Sequence, residues 1–283
     1  MKHDMTDLLF STQAFVAAPA GQPFWYTSGL FGPYYINTHY LFGSKAEADR
    51  LLAEIEEACQ LENRSEIARR IGFFTRAQYE SNETYRTVID RMVALTRGGT
   101  WDFVSGGERR DFFFSIEVAR RLERPHLYIF KDGEIRLAAG AESEAESEIP
   151  GSGSVLHVAD LITKASSYER AWLPALQARG LHLKQTIAGV DRGQGGIGIL
   201  AGLGVEARTL VSIDTALFQK AEALGKINAD QVTALSAYAG DEMGFVRDFL
   251  AAHPDFLDAE AARDERTRER VKRLKSMLKN DNQ

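Results

Sequence analysis

Apolar residues recur at helical spacing over the segment 45–97, which predicts consecutive amphipathic helices. On the first of them, Leu51, Ile55 and Cys59 share one face. The predicted helices begin after Ser44, at Ser65 and near Tyr85, and Gly98-Gly99 ends the series.

From residue 101 the pattern changes to short apolar runs, glycine loops and helical stretches. Strands are predicted over 101–105, 126–130, 134–137, 155–158, 183–190 and 207–213, and helices over 115–122, 166–179 and 197–203. This alternation predicts the α/β fold class, with a mostly parallel sheet flanked by helices. Ligands bind at the carboxyl ends of such strands, so the loops after Ser105, Val158 and Val190 are the expected site.

Changes in the pattern of apolar residues divide the chain into three predicted parts. These are an N-terminal hood and helical region (1–98), the α/β core (99–214) and a C-terminal helical extension (215–283). The helix predicted at the C-terminal end of this extension has a narrow apolar stripe and is expected to be exposed to solvent.

The segment 139–154 contains Glu142, Glu144, Glu146 and Glu148 among Gly and Ser, which is typical of a mobile acidic loop.

Composition narrows the class of protein. The chain has 283 residues, 44% of them hydrophobic, which is typical of a globular protein. Its net charge of −6 argues against a protein whose main role is to coat nucleic acid. Its one cysteine, Cys59, forms no internal disulfide and is expected to be a packed residue rather than a catalytic thiol. The uncharged stretch 8–44 contains three prolines and polar residues, so neither a signal peptide nor a membrane span is predicted, and a cytoplasmic location is expected.

The first candidate for chemistry is Val155-Leu-His-Val-Ala-Asp160 with the following turn. A hydrophobic strand delivers Asp160 to its carboxyl edge, where it can accept hydrogen bonds from ribose hydroxyls or hold a divalent cation. The next turn, Thr163-Lys164-Ala165-Ser166-Ser167, offers hydroxyls and backbone N–H groups to a phosphate. The alternative is that these hydroxyls merely cap a helix.

The second candidate is the loop after the strand predicted over 183–190, Asp191-Arg192-Gly193-Gln194-Gly195-Gly196. Gly193, Gly195 and Gly198 match the spacing of a dinucleotide-binding motif, which leaves an NAD-dependent oxidoreductase as an alternative. Arg192, at a strand end, can instead clamp a carboxylate or a phosphate with two parallel hydrogen bonds.

The third candidate is an aromatic segment around Ser28-Gly29, which continues through Gly32-Pro33-Tyr34-Tyr35. Aromatic side chains at this density stack on a flat heterocycle, fill an apolar hole or form a dimer face.

Taken together, these fragments resemble orotate phosphoribosyltransferase, a type I phosphoribosyltransferase. That family has Ser-Gly-x-x-Ser-Pro-x-Tyr in its hood, a diphosphate loop after Gly-Gly, an acid-acid-x-Ile-Thr-Thr-Gly-x-Ser segment and a late Asp-Arg-x-x-Gly-Gly. The corresponding stretches here are Ser28–Tyr35, Gly106-Gly107, Ala159–Ser167 and Asp191–Gly196. The last match is the most specific, and it accounts for the glycines that mimic a dinucleotide motif.

The resemblance implies transfer of a phosphoribosyl group from phosphoribosyl pyrophosphate to an orotate-like base, with Mg²⁺, in a homodimer of pyrimidine nucleotide metabolism. Asp160 and Lys131 are then the catalytic residues, with Asp160 also the metal ligand. The phosphates would contact Thr163, Lys164, Ser166, Ser167, Gly106, Gly107, Arg109 and Arg110. The base would contact Arg192, Tyr34, Tyr35 and Ser28.

The sequence departs from the family where the chemistry would occur. Ala159 replaces the first acid, Lys164-Ala165 replaces Thr-Gly, and Asp111 stands where the diphosphate loop has glycine. Of the mobile loop, Lys131 is the direct match, and glutamates follow it. These departures leave a second hypothesis open, a non-catalytic relative that binds a nucleotide or phosphoribosyl ligand and acts as a regulator.

Overall fold

The computed structural model describes residues 4–140, 143–146 and 148–280, so Glu142 of the acidic segment lies outside the described residues. The chain forms two compact units. The first comprises Met1–Ala14 and Asn37–Ile213, and the second comprises Phe15–Ile36 and Asp214–Gln283. The units group the chain differently from the three sequence segments: the helices of 45–97 share a unit with the sheet, and the aromatic segment shares one with the C-terminal helices.

Strands and helices are numbered in chain order. The strands are β1 (Phe15–Ala17), β2 (Phe24–Trp25), β3 (Phe31–Gly32), β4 (Tyr34–Ile36), β5 (Phe103–Gly107), β6 (His126–Ile129), β7 (Ile135–Ala138), β8 (Gly153–Ile162), β9 (Leu181–Asp191) and β10 (Glu206–Ser212). The helices are α1 (Met5–Ser11), α2 (Lys45–Gln60), α3 (Ile67–Ser81), α4 (Glu83–Leu95), α5 (Phe112–Arg121), α6 (Leu173–Gln177), α7 (Gly196–Gly202), α8 (Thr215–Ala223), α9 (Ala229–Gly240), α10 (Glu242–Ala252), α11 (Phe256–Arg263) and α12 (Glu265–Asn280). Short 3₁₀ turns span Thr38–Phe42 and Arg64–Glu66, and a π-helical turn spans Tyr168–Trp172.

The first unit is built on a six-stranded sheet in the order β10-β9-β8-β5-β6-β7. Its strands are parallel except β7, which overlaps the predicted strand 134–137 and pairs antiparallel with β6. The central strands are buried on both faces, which explains their continuous apolar runs. The predicted α/β fold class with a mostly parallel sheet is therefore confirmed.

The first of the helices in the segment 45–97 begins where its capping residue predicts. The Ser44 side chain accepts the N–H of Glu47 at 3.2 Å at the start of α2. Cys59 is buried in α2, as predicted, and burial raises the pKa of its thiol to about 12. Ser65 lies in a 3₁₀ turn instead of starting a helix, and α3 begins two residues later at Ile67.

The helix predicted over 166–179 is confirmed over 166–177, but it is not a regular α-helix. A π-helical turn runs from Tyr168 to Trp172 within it, and the short α6 continues it. Pro174 lacks an N–H and cannot donate in a regular α-helical hydrogen-bond series, which fits the wider turn just before it.

The second unit combines residues from both ends of the chain. Phe31, Val246 and Leu274 form its buried core, with rings from Trp25, Phe249 and Phe256 around Phe31. The Trp25 indole N–H donates to the Glu260 carboxylate at 2.7 Å. The apolar stripe of α12 is thus packed, although its charged face is exposed. No helix among the residues that the structure describes is long and apolar enough to cross a bilayer.

Candidate functional site

The expected site residues lie at the carboxyl ends of three neighbouring parallel strands. Gly106 and Gly107 end β5, Asp160 lies two residues before the end of β8, and Asp191 ends β9. The strands are longer than predicted, so Gly106, Gly107 and Asp160 lie within strands and not in the loops after them. Pairing with buried neighbours extends these strands beyond their apolar runs.

Asp160 is half-buried and held on two sides. Its carboxylate accepts the hydroxyl of Thr38 at 2.5 Å, and its backbone N–H donates to Asp111 Oδ1 at 2.9 Å. Burial and then the charge of Asp111 raise the pKa of Asp160, while the Thr38 hydrogen bond and the charge of Arg110 oppose that shift.

Asp111 connects the ends of β5 and β8. Its Oδ2 accepts the N–H of Gly107 at 2.9 Å and lies 3.5 Å from Nε2 of the buried His157. The other ring nitrogen of His157, Nδ1, is 2.9 Å from Ser105 Oγ. These three buried polar side chains form one network beneath Asp160. Thr38, Ser105 and His157 were missed by sequence reasoning, and the one available signal was a histidine inside the apolar run 155–159.

In the turn after β8, Ala165 has a left-handed backbone conformation, at the position where the orotate phosphoribosyltransferase family has glycine. Ala165 has φ +51°, a conformation that costs a non-glycine residue some energy. Thr163 is half-buried, whereas Lys164, Ser166 and Ser167 are exposed. The turn therefore presents two hydroxyls and an ammonium group to solvent next to Asp160.

The loop after β9 packs on this turn. The N–H of Arg192 donates to the Ile162 carbonyl at 2.9 Å, and the N–H of Gly196 donates to the Thr163 carbonyl at 3.0 Å. A Cβ on Gly196 would lie 2.5 Å from that carbonyl oxygen, so the approach requires glycine. The structure thus brings the two predicted loops together.

Side chains of other elements pack closely against Gly106 and Gly107 at the end of β5. A Cβ on Gly106 would lie 2.2 Å from Ser115 Oγ, and one on Gly107 would lie 2.5 Å from the Trp172 indole. Trp172 also packs on the His157 ring, with a centroid distance of 4.2 Å. This tryptophan was missed by sequence reasoning, because it comes from the helical segment after β8 and reaches β5 only through the fold.

Two of the predicted cationic site residues, Arg109 and Lys131, are paired with glutamates. Arg109 pairs with Glu56, and Lys131 Nζ lies 3.4 Å from a carboxylate oxygen of Glu108. The peptide bond between Glu108 and Arg109 is cis. Arg110 and Lys164 are exposed, and the positive charge of Arg110 acts on Asp160.

The predicted base-binding residues of the aromatic segment belong to the second unit. Tyr34 is buried and stacks on Phe15, with ring centroids 5.1 Å apart. Tyr35 is 39% exposed, and Ser28 is exposed, with its Oγ accepting the N–H of Leu30 at 3.3 Å. Their contact with a base stays a prediction.

The residues around Asp160 fit Mg²⁺ only as an ion that a substrate helps to hold. No group of three or more His, Cys, Asp or Glu side chains in the described part of the chain could bind a metal alone. Mg²⁺ is commonly held by one or two carboxylates together with substrate phosphates and water. The Asp160 carboxylate can supply such a ligand, and the predicted role of Mg²⁺ stays a prediction.

Comparison with known proteins identifies the fold. No protein-family model and no curated protein matches the chain. Among solved structures, Leishmania donovani UMP synthase matches with a TM-score of 0.58 and 16% identity, over 83% of this chain and 41% of that one. Orotate phosphoribosyltransferase from Aeropyrum pernix matches with a TM-score of 0.51 and 18% identity, over 78% of this chain and 98% of that one. The Francisella tularensis enzyme of the same name matches with a TM-score of 0.52 and 11% identity, over 82% and 95%.

The chain therefore has the fold of type I phosphoribosyltransferases. The resemblance inferred from short motifs is confirmed at the level of the fold, and these solved structures are similar to the chain over most of its length.

Proposed function

We propose that the protein binds a phosphoribosyl compound at the carboxyl edge of the six-stranded sheet and transfers its phosphoribosyl group to an orotate-like base. The observation that carries this proposal is the approach of three loops: the turn 163–167, the loop after β9 and the end of β5. The loop after β9 donates one hydrogen bond to Thr163 in the turn and one to Ile162 at the end of β8, and the Asp111 carboxylate joins Asp160 to the end of β5.

The turn 163–167 is the proposed 5′-phosphate site. The hydroxyls of Thr163, Ser166 and Ser167 and the ammonium group of Lys164 supply donors that suit a phosphate. The exposed positions of Lys164, Ser166 and Ser167 support this role. Asp160, whose carboxylate accepts the Thr38 hydroxyl, is the proposed acceptor of hydrogen bonds from the ribose hydroxyls.

Arg192 is the proposed clamp for a carboxylate on the base, because its guanidinium matches a carboxylate with two parallel hydrogen bonds. Ser28, Tyr34 and Tyr35 are the proposed further contacts of the base. An orotate-like base is proposed because two of the similar structures are orotate phosphoribosyltransferases.

In the proposed reaction the bond between ribose C1 and the diphosphate oxygen breaks, and a bond forms between C1 and a ring nitrogen of the base, which gives up its N–H proton to solvent. Diphosphate leaves with the bonding electron pair, and bound Mg²⁺ would neutralise its charge. Arg109, Arg110 and Lys131, with the backbone of Gly106 and Gly107, are the proposed partners of the diphosphate. Arg109 and Lys131 would have to leave Glu56 and Glu108 to take part.

A second candidate function is a non-catalytic protein that binds a nucleotide or phosphoribosyl ligand and acts as a regulator. The Trp172 indole packed on Gly107 favours it, together with the two glutamate partners of Arg109 and Lys131. Both features occupy the side of the site that would hold diphosphate.

We propose further that the protein is a cytoplasmic homodimer of pyrimidine metabolism that binds neither nucleic acid nor membrane.

An assay in both directions tests the two functions. The protein is incubated with phosphoribosyl pyrophosphate, Mg²⁺ and orotate, and separately with orotidine 5′-monophosphate, Mg²⁺ and diphosphate. Turnover that Asp160→Asn abolishes supports the transferase. Saturable binding of the nucleotide without turnover supports the regulator, and a folded protein that neither binds nor reacts contradicts both.

A further inference from the structure

A separate cavity lies wholly within the second unit, between the segment 18–23 and helices α9 and α10. Its volume is about 510 Å³, and pockets for small molecules commonly measure about 300–1,000 Å³. The residues that line it are largely apolar and include Pro19, Pro23 and Pro33. None of the residues that line this cavity belongs to the proposed phosphoribosyl site.

Three rings form one wall of this cavity. Phe245 and Phe249 on α10, and His253 just after it, follow one another at intervals of four residues, so they project from the same side of the helix. The rings of Phe249 and His253 are stacked, with centroids 4.2 Å apart and an interplanar angle of 17°. Phe245 and Phe249 are nearly parallel at 6.3 Å. Such a wall offers a flat ligand a large contact area.

The start of the opposite helix contributes a wall whose side-chain amide oxygens already accept hydrogen bonds. Asn228 and Gln231 cap α9 reciprocally, with hydrogen bonds of 2.9 and 3.1 Å. The remaining donor of Gln231, Nε2, reaches the Ala18 carbonyl at 3.0 Å. These bonds fix the segment 18–23 on α9 before any ligand arrives, so the cavity is largely preformed.

Beside the amides of Gln22, Asn228 and Gln231, the cavity lining includes two side chains that can accept hydrogen bonds, His253 and Asp230. His253 Nδ1 lies 2.9 Å from the Phe249 carbonyl, which can only accept, so Nδ1 holds the hydrogen and Nε2 of the neutral ring is an acceptor. A Cβ at Gly21 would lie 3.8 Å from Nε2, which places that atom beside the segment 18–23. Asp230 adds a carboxylate, and among the described lining residues there is neither lysine nor arginine.

We propose that this cavity binds a planar nitrogen heterocycle that carries N–H donors and no phosphate or carboxylate. The aromatic wall and the prolines bury the flat surface of such a ligand, and His253 and Asp230 receive its N–H groups. A phosphate or a carboxylate is disfavoured because Asp230 would repel it and the lining supplies no cation to offset that repulsion.

Isothermal titration with adenine and with 2-aminobenzimidazole tests this inference on the full-length protein. The matched variants are Ala234→Trp, which fills the cavity from α9, and Ala237→Trp, which adds the same side chain to the exposed side of that helix. We expect saturable binding by the wild type, a loss of at least about tenfold in Ala234→Trp, because the ligand's volume is taken, and less than about twofold change in Ala237→Trp.

A second variant keeps the test valid if Ala234→Trp does not fold. His253 is exposed, so His253→Phe retains the ring and the fold but removes the acceptor. Loss of one hydrogen bond should weaken adenine binding about three- to tenfold. AMP should bind more weakly at this cavity than adenine, because its phosphate meets Asp230. If neither heterocycle binds, or if Ala234→Trp and Ala237→Trp have equal effects, the inference is wrong.

Discussion

At the scale of single residues, one carboxylate links the parts of the candidate site. Asp111 accepts the backbone N–H groups of Gly107 and Asp160 and lies beside His157. From sequence, Asp111 was only a departure from the family pattern. Its role depends on a contact between Asp111 and Asp160, which are 49 residues apart in the chain, and no local pattern specifies such a contact.

Replacing Asp111 by alanine should be costly. Asp111→Ala leaves two N–H groups without their acceptor, each at a cost of about 1–3 kcal/mol when buried, so we expect the free energy of unfolding to fall by about 2–5 kcal/mol in urea denaturation. Asp102→Ala is the matched control, because Asp102 also accepts a backbone N–H, from Ser154 at 2.7 Å, but is exposed. Water can replace that bond, and equal losses in both variants would contradict the proposed role of Asp111.

Glu117 should make stability depend on pH. It is buried in α5, and burial raises its pKa from 4.5 to about 7, against the charges of Arg120 and Arg121. The folded state therefore binds the proton more tightly than the unfolded state, so stability falls as the pH rises between about 4.5 and about 7.

The variant Glu117→Gln lacks this titration. It should be more stable than the wild type at pH 8 and should have a flatter stability profile across that interval, measured by urea denaturation at several pH values. Glu66→Gln, at an exposed position, should retain the wild-type profile. A wild type whose stability rises through the interval, with Glu117→Gln unchanged, would contradict the account.

At the scale of elements, the site depends on the close contact between the turn after β8 and the start of α7. Gly196 and Gly198 lie on the same helix, but only the former faces a neighbouring backbone: a Cβ on Gly196 would lie 2.5 Å from the Thr163 carbonyl, and one on Gly198 has nothing within 4 Å among the described atoms. The two glycines therefore form a matched pair.

Gly196→Ala should separate the loops, lower the free energy of unfolding by about 1–3 kcal/mol and weaken phosphoribosyl binding. Gly198→Ala should instead stabilise the protein by about 0.5–1 kcal/mol, because alanine favours a helix interior. Thermal denaturation and ligand titration on both variants measure these effects. Equal changes in stability and in ligand binding for the two variants would argue against close contact between the turn after β8 and the start of α7.

Most elements could be predicted from local patterns, but their ends could not. The strands around Val155 and Leu183 were identifiable because they are buried on both faces and carry continuous apolar runs. Asp160 and Asp191 lie inside these strands because sheet pairing, a long-range effect, continues past the apolar residues. The π-helical turn before Pro174 had a local signal, since proline cannot donate in a regular helical series, but the periodicity of 166–179 indicates only a helix.

At the scale of the whole molecule, the chain order does not match the division into units. The segment Phe15–Ile36 forms a unit with Asp214–Gln283 rather than with the helices that follow it. Sequence reasoning identified its aromatic density but not its partner, because apolar surface does not specify what covers it. Phe31 and Tyr34 are buried in this unit, in ring contacts with Phe249 and Tyr238 respectively.

Ending the chain after Ile213 should expose that aromatic segment. Phe31 and Tyr34 would lose partners contributed by α9 and α10, and exposed apolar patches promote association. We expect the truncated protein to bind more of the dye ANS than the full-length protein and to form larger oligomers than the full-length protein in analytical ultracentrifugation. A truncated protein that associates no further than the full-length protein and binds no additional dye would contradict this assignment of the units.

The central claim is that a phosphoribosyl ligand binds at Asp160, and isothermal titration with phosphoribosyl pyrophosphate and Mg²⁺ tests it most directly. The comparison includes the wild type, Asp160→Asn and the exposed control Asp102→Asn. Asp160→Asn keeps an oxygen for Thr38 and should remain folded. The account predicts saturable binding by the wild type and by Asp102→Asn, and at least about tenfold weaker binding by Asp160→Asn. A folded wild type that does not bind, or an Asp160→Asn variant that binds equally well, would contradict it.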